Sequence, residues 1–296
     1  MSRTKSLKSM ERRIFPYVMI APNLLIFLLF IAIPAVFGVW YSLHDWSGLG
    51  EMTFIGLENY TTAFQDKLFW GALWRTVVYV LISIPLLVAI PLFFAMLLSR
   101  PLRAVGLFRA ALYWPTMISY IVAGIAFKFL FNDDSGIINY MITAAGGEAV
   151  EWLTRSGSAT AVVVMATVWS GTGFYMVIYI AGLQNIPRQY YEAADVDGAT
   201  GWQRFRYITL PLLRPTTFMV IMLGMINLFK AYGMVIALTN GGPVRATKYI
   251  VQFIYDEAFV GGELGYASAI SVLLFIIVAV LTSTQFIFGE GGRIDD

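Results

Sequence analysis

Six apolar runs, each long enough to cross a bilayer, constrain this chain more than any other feature of its sequence. They cover about 16–42, 76–98, 107–131, 160–183, 216–238 and 266–288, and none contains Asp or Glu. A hydrocarbon core about 30 Å thick needs roughly 20 apolar residues in a helix. Because only 13% of the 296 residues are charged, the chain cannot cover the surface of a soluble protein of this size. The sequence therefore predicts an all-α, polytopic membrane protein with six transmembrane helices. Residues 1–296 are predicted to form a single transmembrane domain.

Basic residues are distributed unevenly among the segments that connect these runs. Thirteen of the 20 Lys and Arg lie in segments on the same side as the N-terminus, and five lie on the other side. Because cytoplasmic segments carry an excess of Lys and Arg, both termini are predicted to be cytoplasmic. The first run is longer than the apolar region of a secretory signal, so it is interpreted as an uncleaved anchor. The basic stretch at 4–15 is a candidate amphipathic helix on the inner leaflet.

A charged stretch, YYEAADVDGATGWQRFRYITLPLLRP at 190–215, interrupts the apolar pattern between the fourth and fifth runs. Burying its five charged residues from Glu192 to Arg206 in lipid would cost well over about 12 kcal/mol on an insertion scale. The stretch is therefore predicted to lie outside the bilayer.

Local signals predict that this stretch and the residues before it fold as two short helices. Asn185 is a candidate N-cap of the first helix, with Pro187 at an early position. Gly198 supplies the left-handed conformation that ends that helix. Thr200 predicts a capping box with the Gln three residues later, and the second helix is expected to end at Leu210-Pro211.

The second helix carries an apolar stripe in which Trp202, Phe205 and Ile208 recur at a spacing of three. Arg204 and Arg206 point elsewhere, so the segment is amphipathic. These signals alone leave two roles open, a helix pair resting on lipid headgroups and a surface that docks another protein.

The spacing of Glu192-Ala193-Ala194, three residues, Gly198, nine residues, Ile208, one residue and Leu210-Pro211 matches the EAA signature. This signature is typical of inner-membrane permeases of binding-protein-dependent ABC importers. Further resemblance to sugar permeases of the maltose and glycerol-3-phosphate type runs through most of the chain, in the stretches APNLLIFLLFIAIP, FIGLENYTTAF, WPTMISYIVAGIAFKFLF, TNGGP and YASAIS. These flanking stretches resemble the first of the two permeases that such systems encode.

The resemblance implies a type I ABC importer permease fold and an alternating-access mechanism in a prokaryotic inner membrane. It also implies three protein partners: a second homologous permease, a cytoplasmic ATPase dimer and an extracytoplasmic solute-binding protein. In the family, the region that carries the signature forms a coupling helix that docks in a cleft of the ATPase. The resemblance assigns this coupling helix region to residues 186–211 of this chain, here named the EAA segment. The ATPase-coupling residues implied for this chain are Glu192, Ala193, Ala194, Asp197, Gly198 and Phe205.

The source of energy is expected to be a partner, since the chain has no GxxxxGK[ST] phosphate loop. The chain itself is expected to be no enzyme and to hold no cofactor or metal, with ATP and magnesium bound by the ATPase; no nucleic-acid partner is expected. The main alternative is a secondary transporter driven by an ion gradient. Proton relays use intramembrane acids or histidine, whereas the acids here lie in loops and the one histidine, His44, is at an outer boundary.

Polar residues inside the apolar runs are candidates for the solute path, because each is costly unless it faces water, protein or solute. The fourth and fifth runs, which line the sugar site in related permeases, supply Trp169, Thr172, Gly173, Tyr175, Asn227, Lys230 and Tyr232. Alternatives stay open: the glycines suit close helix packing, and Lys230 could extend to the outer interface. Aromatic faces and an amide suit a neutral sugar, but polyols and glycerol phosphate are equally compatible.

Overall fold

The computed structural model describes the backbone of residues 3–100 and 103–288, and the side chains of 15–100 and 103–287. The predicted placement of the basic stretch at 4–15 concerns side chains that lie outside the described residues. The described chain is mainly helical and divides into two units. One holds the residues up to Gln65 together with Ile254–Leu274, and the other holds Asp66–Phe253 together with the residues from Phe275 on.

The secondary structure consists of helices, short irregular helical turns and one small strand pair. In chain order the helices are α1 (Arg3–Phe27), α2 (Ile33–Tyr41), α3 (Glu58–Gln65), α4 (Lys67–Leu98), α5 (Val105–Tyr113), α6 (Tyr120–Leu130), α7 (Ile137–Ala144), α8 (Ser156–Gln184), α9 (Arg188–Val196), α10 (Gly201–Arg204), α11 (Leu210–Leu212), α12 (Arg214–Phe229), α13 (Gly233–Leu238), α14 (Ile250–Phe259) and α15 (Leu264–Phe288). Strands β1 (His44–Asp45) and β2 (Thr53–Phe54) pair antiparallel.

Four helical stretches of the described chain are long and apolar enough to cross a membrane: Phe15–Tyr41, Lys67–Leu98, Ser156–Gln184 and Leu264–Ile287. Two further stretches qualify only as bent pairs. Val105–Met117 meets Tyr120–Leu130 at 99°, and Gly201–Leu212 meets Arg214–Phe229 at 64°. The fold therefore contains four to six apolar spans and is that of a multi-pass membrane protein.

The third apolar run is a bent pair rather than one continuous helix. Pro115 lies in a 3-10 turn, Trp114–Met117, that follows α5, and Ser119 has extended dihedral angles before α6 begins. Proline lacks the N–H that an α-helix needs and its ring clashes with the carbonyl four residues earlier. The chain therefore leaves the helical path at this proline and turns sharply into α6.

The fifth run is also interrupted. Helix α12 ends at Phe229, and the chain is not helical again until Gly233. The last turn of α12 closes with tighter bonds, from the Lys230 N–H to the Asn227 carbonyl and from the Ala231 N–H to the Leu228 carbonyl. The three residues Lys230–Tyr232 thus form a non-helical link within a stretch that the sequence pattern presents as one span.

The second unit is organised around α4 and α8, which pack along each other. Asp66 caps α4 by accepting a hydrogen bond from the Leu68 N–H at 2.7 Å, so α4 begins nine residues before the apolar run at 76–98. Helix α13 packs on α6 at Gly124, where a Cβ atom would lie 2.8 Å from the Met234 carbonyl oxygen. Helices α12 and α13 both contact α8, so part of α8 lies near the link between them.

Candidate functional site

A cavity of about 190 Å³ lies within the second unit, where α4, α8, the start of α6 and the link after α12 meet. Tyrosines dominate its lining, and the remaining polar groups are an amide, a hydroxyl and one ammonium. The lining residues are Tyr79, Leu87, Tyr120, Thr167, Gly171, Tyr175, Asn227, Leu228, Lys230, Ala231, Tyr232, Gly233 and Met234.

The interruption of the fifth run explains why several of these side chains share one cavity. On a continuous helix, residues 230–234 would be spread around the full circumference. Because the chain is not helical from Lys230 to Tyr232, consecutive residues instead line the same space. The break at Pro115–Ser119 likewise places Tyr120 at the start of α6 and at the wall of the cavity.

Hydrogen bonds fix the orientation of the polar groups in the cavity. The Asn227 Nδ2 donates to the Tyr175 hydroxyl at 3.4 Å and so joins α12 to α8. The hydroxyls of Tyr79 and Thr167 lie 2.9 Å apart and join α4 to α8. Aromatic rings with oriented hydroxyl and amide groups can stack on the C–H faces of a solute and exchange hydrogen bonds with its polar groups.

Four of the seven predicted solute-path residues, Tyr175, Asn227, Lys230 and Tyr232, line this cavity together. The fourth and fifth runs therefore contribute polar residues to one cavity. Their role in binding stays a prediction.

The other three predicted residues do not line the cavity. The Trp169 ring packs against that of Phe127 in a tilted arrangement, with ring centroids 5.4 Å apart. Thr172 is buried and donates to the Val168 carbonyl at 2.6 Å. A Cβ atom at Gly173 would collide with the backbone of Leu112, so this glycine serves the close packing that the sequence left as an alternative.

Sequence reasoning missed Tyr79, Tyr120, Thr167 and Gly171. Gly171 lies in the fourth run between two predicted residues, Trp169 and Thr172. Tyr79 and Thr167 are polar groups inside apolar runs, which is the signal that identified Asn227. Tyr120 is also a polar group inside an apolar run, but its position at the cavity wall depends on the bend at Pro115, which the sequence pattern does not reveal.

The EAA segment has the predicted helix, turn and second helix, and its turn is confirmed in detail. Gly198 has a φ of +72°. The Ala199 N–H donates to the Ala194 carbonyl at 2.9 Å and the Gly198 N–H to the Asp195 carbonyl at 3.2 Å, which is the bond pattern of a Schellman motif. The predicted capping box of the second helix is also present, with the Thr200 N–H bonded to the Gln203 side chain at 2.7 Å.

Two of the predicted helix ends in this segment are wrong. Asn185 does not cap α9, since it follows the last turn of α8 and Pro187 precedes α9 instead. Pro211 does not end the second helix, which runs from Gly201 to Leu212. A wide π turn, Phe205–Thr209, comes directly before Pro211 and relieves the clash that its ring would make with the preceding turn.

Side-chain contacts hold the two helices of the EAA segment together. Arg204 forms an ion pair with Asp195, and the hydroxyls of Tyr191 and Thr209 lie 2.9 Å apart. Each contact joins α9 to the second helix, so the pair is braced on two sides. We conclude that the segment is a compact element and not a flexible loop.

The predicted coupling residues divide into exposed and packed groups. Glu192, Ala193, Asp197 and Gly198 are exposed. Ala194 is 8% exposed and packs inside the segment. Phe205 is half-buried and packs on Trp202, whose side chain is 70% exposed and whose ring lies 5.5 Å away. The exposed surface of the segment therefore includes both carboxylates and an aromatic group.

Within the described residues, no group of three or more His, Cys, Asp or Glu could hold a metal ion. The cavity also contains no carboxylate pair among its lining residues. The features with functional chemistry in the described chain are thus a polar, tyrosine-rich cavity and a braced, charged helix pair.

Comparisons with known proteins agree with this arrangement. The chain is 34% identical over 288 residues to the probable ABC transporter permease protein YurN of Bacillus subtilis, covering 96% of this chain and 98% of that one. It is 35% identical over 291 residues to the trehalose/maltose transport system permease protein MalF of Thermococcus litoralis, covering 98% of each.

A similar fold occurs in a bacterial ABC transporter involved in the import of the acidic polysaccharide alginate, with a TM-score of 0.84 and 22% identity over 97% of this chain and 98% of that one. Residues 60–289 match the family of binding-protein-dependent transport system inner membrane components. The EAA resemblance is thereby confirmed, as is the expectation of a transport subunit in place of an enzyme. This chain belongs to the family of binding-protein-dependent transport system inner membrane components.

Proposed function

We propose that this chain is one of two permease subunits of an ATP-driven importer of sugars or related polyols. In this proposal a solute-binding protein delivers the solute, the two permeases enclose it, and a cytoplasmic ATPase dimer switches access from one side to the other. The family assignment supports the binding protein as a partner. The single observation that carries the coupling role is the braced EAA segment, which presents exposed Glu192 and Asp197 between two apolar runs.

We further propose six membrane spans, with each bent stretch counted as a crossing, and both termini in the cytoplasm of a prokaryotic cell. The excess of Lys and Arg on the N-terminal side supports this orientation. It places the EAA segment in the cytoplasm, where the ATPase would be. The outer side then holds α3, α7 and the turn at 239–248.

The EAA segment is proposed to transmit movement because its two helices are joined by hydrogen bonds and an ion pair. A braced element moves as a rigid body, whereas a mobile loop would absorb the displacement of the ATPase. Glu192 would accept hydrogen bonds in the ATPase cleft, and Trp202 would supply apolar contact. Gly198 would permit the tight turn between the helices.

The solute site is proposed to be the cavity that Tyr79, Tyr175, Asn227 and Lys230 line. Its rings and hydrogen-bonding groups suit a polyhydroxylated solute. Names of relatives support the same class, because one is a trehalose/maltose permease. Alternating access would open the cavity first to the outer side and then to the cytoplasm.

The decisive experiment reconstitutes this chain with its second permease, ATPase and binding protein in vesicles, and compares wild type with Glu192→Lys. The variant is expected to hydrolyse ATP without solute uptake, because a lysine cannot accept the hydrogen bonds that the carboxylate accepts. Glu148→Lys is the matched control, since Glu148 is an exposed glutamate far along the chain in the 144–155 segment. Normal coupled uptake by Glu192→Lys would contradict the coupling role, and uptake driven by an ion gradient without ATP would contradict the whole proposal.

A further inference from the structure

The lining of the cavity carries charge of one sign, which is positive. Lys230 is the charged residue of its lining, and no Asp, Glu or His stands among the other described residues that line it. The other polar residues of the lining are four tyrosines, a threonine and an asparagine, and none of them carries a negative charge that would neutralise the lysine. A solute in this space would meet one full positive charge.

Lys230 has no structural partner that accounts for that charge. Its backbone N–H closes the last turn of α12, but in the part of the chain that the structure describes its ammonium group forms no ion pair or hydrogen bond. A lysine retained for stability alone would be expected to pair with a carboxylate or extend to an interface. This lysine has no such carboxylate among the described residues; it is exposed and borders the cavity.

A second positive site lies one helical turn from the cavity. Arg75 is four residues before the lining residue Tyr79 on α4, a rise of about 6 Å. Its Nε donates to the Lys248 carbonyl at 3.2 Å, and Arg245 is close enough to repel its guanidinium group. Neither arginine forms an ion pair with a carboxylate within the described residues.

The turn that carries Arg245 is rigidly built. Thr247 bonds through its hydroxyl to the Gly242 carbonyl at 2.7 Å and to the Thr239 hydroxyl at 2.7 Å. Val244 and Arg245 both have positive φ, 46° and 64°, a conformation that costs free energy for residues with a Cβ atom. The fold thus holds two like charges, Arg75 and Arg245, near each other, and Arg75 lies one helical turn from the lining residue Tyr79.

We infer that the solute carries an anionic group, a carboxylate or a phosphate, and that Lys230 binds this group in the cavity. The inference rests on the proposed function and names the solute class of the same site. Arg75 and Arg245 attract the anion as it approaches, since two adjacent cations favour a negative ligand. The tyrosines pack on the carbohydrate or polyol portion.

The test measures binding and transport of matched acidic and neutral probes by the reconstituted importer. The acidic probes are digalacturonate and sn-glycerol 3-phosphate, and the neutral ones are galactobiose and glycerol. Binding to the purified permease–ATPase complex without the binding protein separates selectivity of the cavity from selectivity of the binding protein. The two acidic probes distinguish a carboxylate solute from a phosphate solute.

Lys230→Gln is expected to weaken binding of the acidic probe by about 10- to 100-fold, the range for a hydrogen bond to a charged group. Lys230→Arg keeps the charge and should restore most of the affinity. Lys128→Gln is the matched control, because Lys128 is an exposed lysine in the last turn of α6 that does not line the cavity. Arg245→Gln should reduce the rate of uptake and its dependence on salt.

Preference for an acidic probe that depends on Lys230 supports the inference. Uptake of neutral probes alone, with Lys230→Gln indistinguishable from wild type, overturns the inference and leaves the proposed function intact. Complexes that couple ATP hydrolysis to neither class overturn both.

Discussion

The hydroxyl of Tyr191 lies 2.9 Å from the hydroxyl of Thr209 and joins the first helix of the EAA segment to the wide turn of the second. Thr209 is buried, and its hydroxyl also approaches the Arg204 carbonyl at 3.4 Å. The wide turn therefore has a side-chain partner from α9. Rigidity of the segment depends on this contact as well as on the backbone.

Tyr191→Phe is expected to loosen the segment, because Thr209 would be left without that hydrogen-bonding partner. A hydrogen bond of this kind contributes about 0.5–1.5 kcal/mol. The midpoint of thermal unfolding of the complex and the number of solutes moved per ATP should both fall. In a Thr209→Ala background the same change should have little further effect.

Tyr207→Phe provides the comparison, since Tyr207 is 73% exposed and its hydroxyl forms no hydrogen bond in the described chain. Equal effects of the two tyrosine changes would contradict a bracing role for Tyr191.

Gly198→Ala is expected to damage the turn between the two helices. Its φ of +72° costs about 1–2 kcal/mol for a residue with a Cβ atom. Gly201→Ala is the control, because neither glycine has an atom within 4 Å of its Cβ position and Gly201 is in an ordinary helical conformation. Coupled uptake should fall for the change at position 198 and stay near wild type for the change at 201. A reduction of equal size at both positions would show that added volume, and not φ, is responsible.

The sequence predicted those parts of the EAA segment whose conformation is determined by residues close to them in the chain. The turn at Gly198 and the capping box from Thr200 depend on residues within four positions, so the sequence states them directly. The end of α8 at Asn185 and the passage through Pro211 depend on competition between neighbouring helices and on a π turn. Nothing in the residue types alone reveals which helix Asn185 terminates.

The cavity was predicted only in part for a similar reason. Hydropathy identifies apolar runs and their polar interruptions, which found Tyr175, Asn227 and Lys230. The direction in which a bent run continues depends on packing between distant segments. Tyr120 became a lining residue only because the chain turns sharply between Pro115 and Ser119.

Gly173→Ala is expected to destabilise the protein without changing solute preference. The added methyl group would collide with the backbone around Leu112, and overpacking of this kind costs about 1–3 kcal/mol. Gly157→Ala on the same helix is the control, since nothing lies within 4 Å of its Cβ position. Expression level and thermal stability in detergent should fall for Gly173→Ala alone. A change in which solutes are transported, with unchanged stability, would instead show that Gly173 belongs to the solute path.

Two threonines on α8 allow an effect on the solute site to be distinguished from an effect on helix packing. Thr167 lines the cavity and its hydroxyl lies 2.9 Å from that of Tyr79, whereas Thr172 is buried away from the cavity lining. Both hydroxyls donate to a carbonyl one turn earlier, at 2.8 Å and 2.6 Å. Replacing either with valine therefore removes the same intrahelical bond, and only the change at 167 also removes a polar group from the cavity.

Thr167→Val is accordingly expected to raise the solute concentration for half-maximal stimulation of ATP hydrolysis by about 2- to 10-fold, the equivalent of one lost hydrogen bond. Thr172→Val should leave that concentration unchanged. Because valine has nearly the shape of threonine, a difference between the variants reports on chemistry more than on volume. If both variants shift the half-maximal concentration equally, the effect comes from helix packing and the cavity is not where the solute binds.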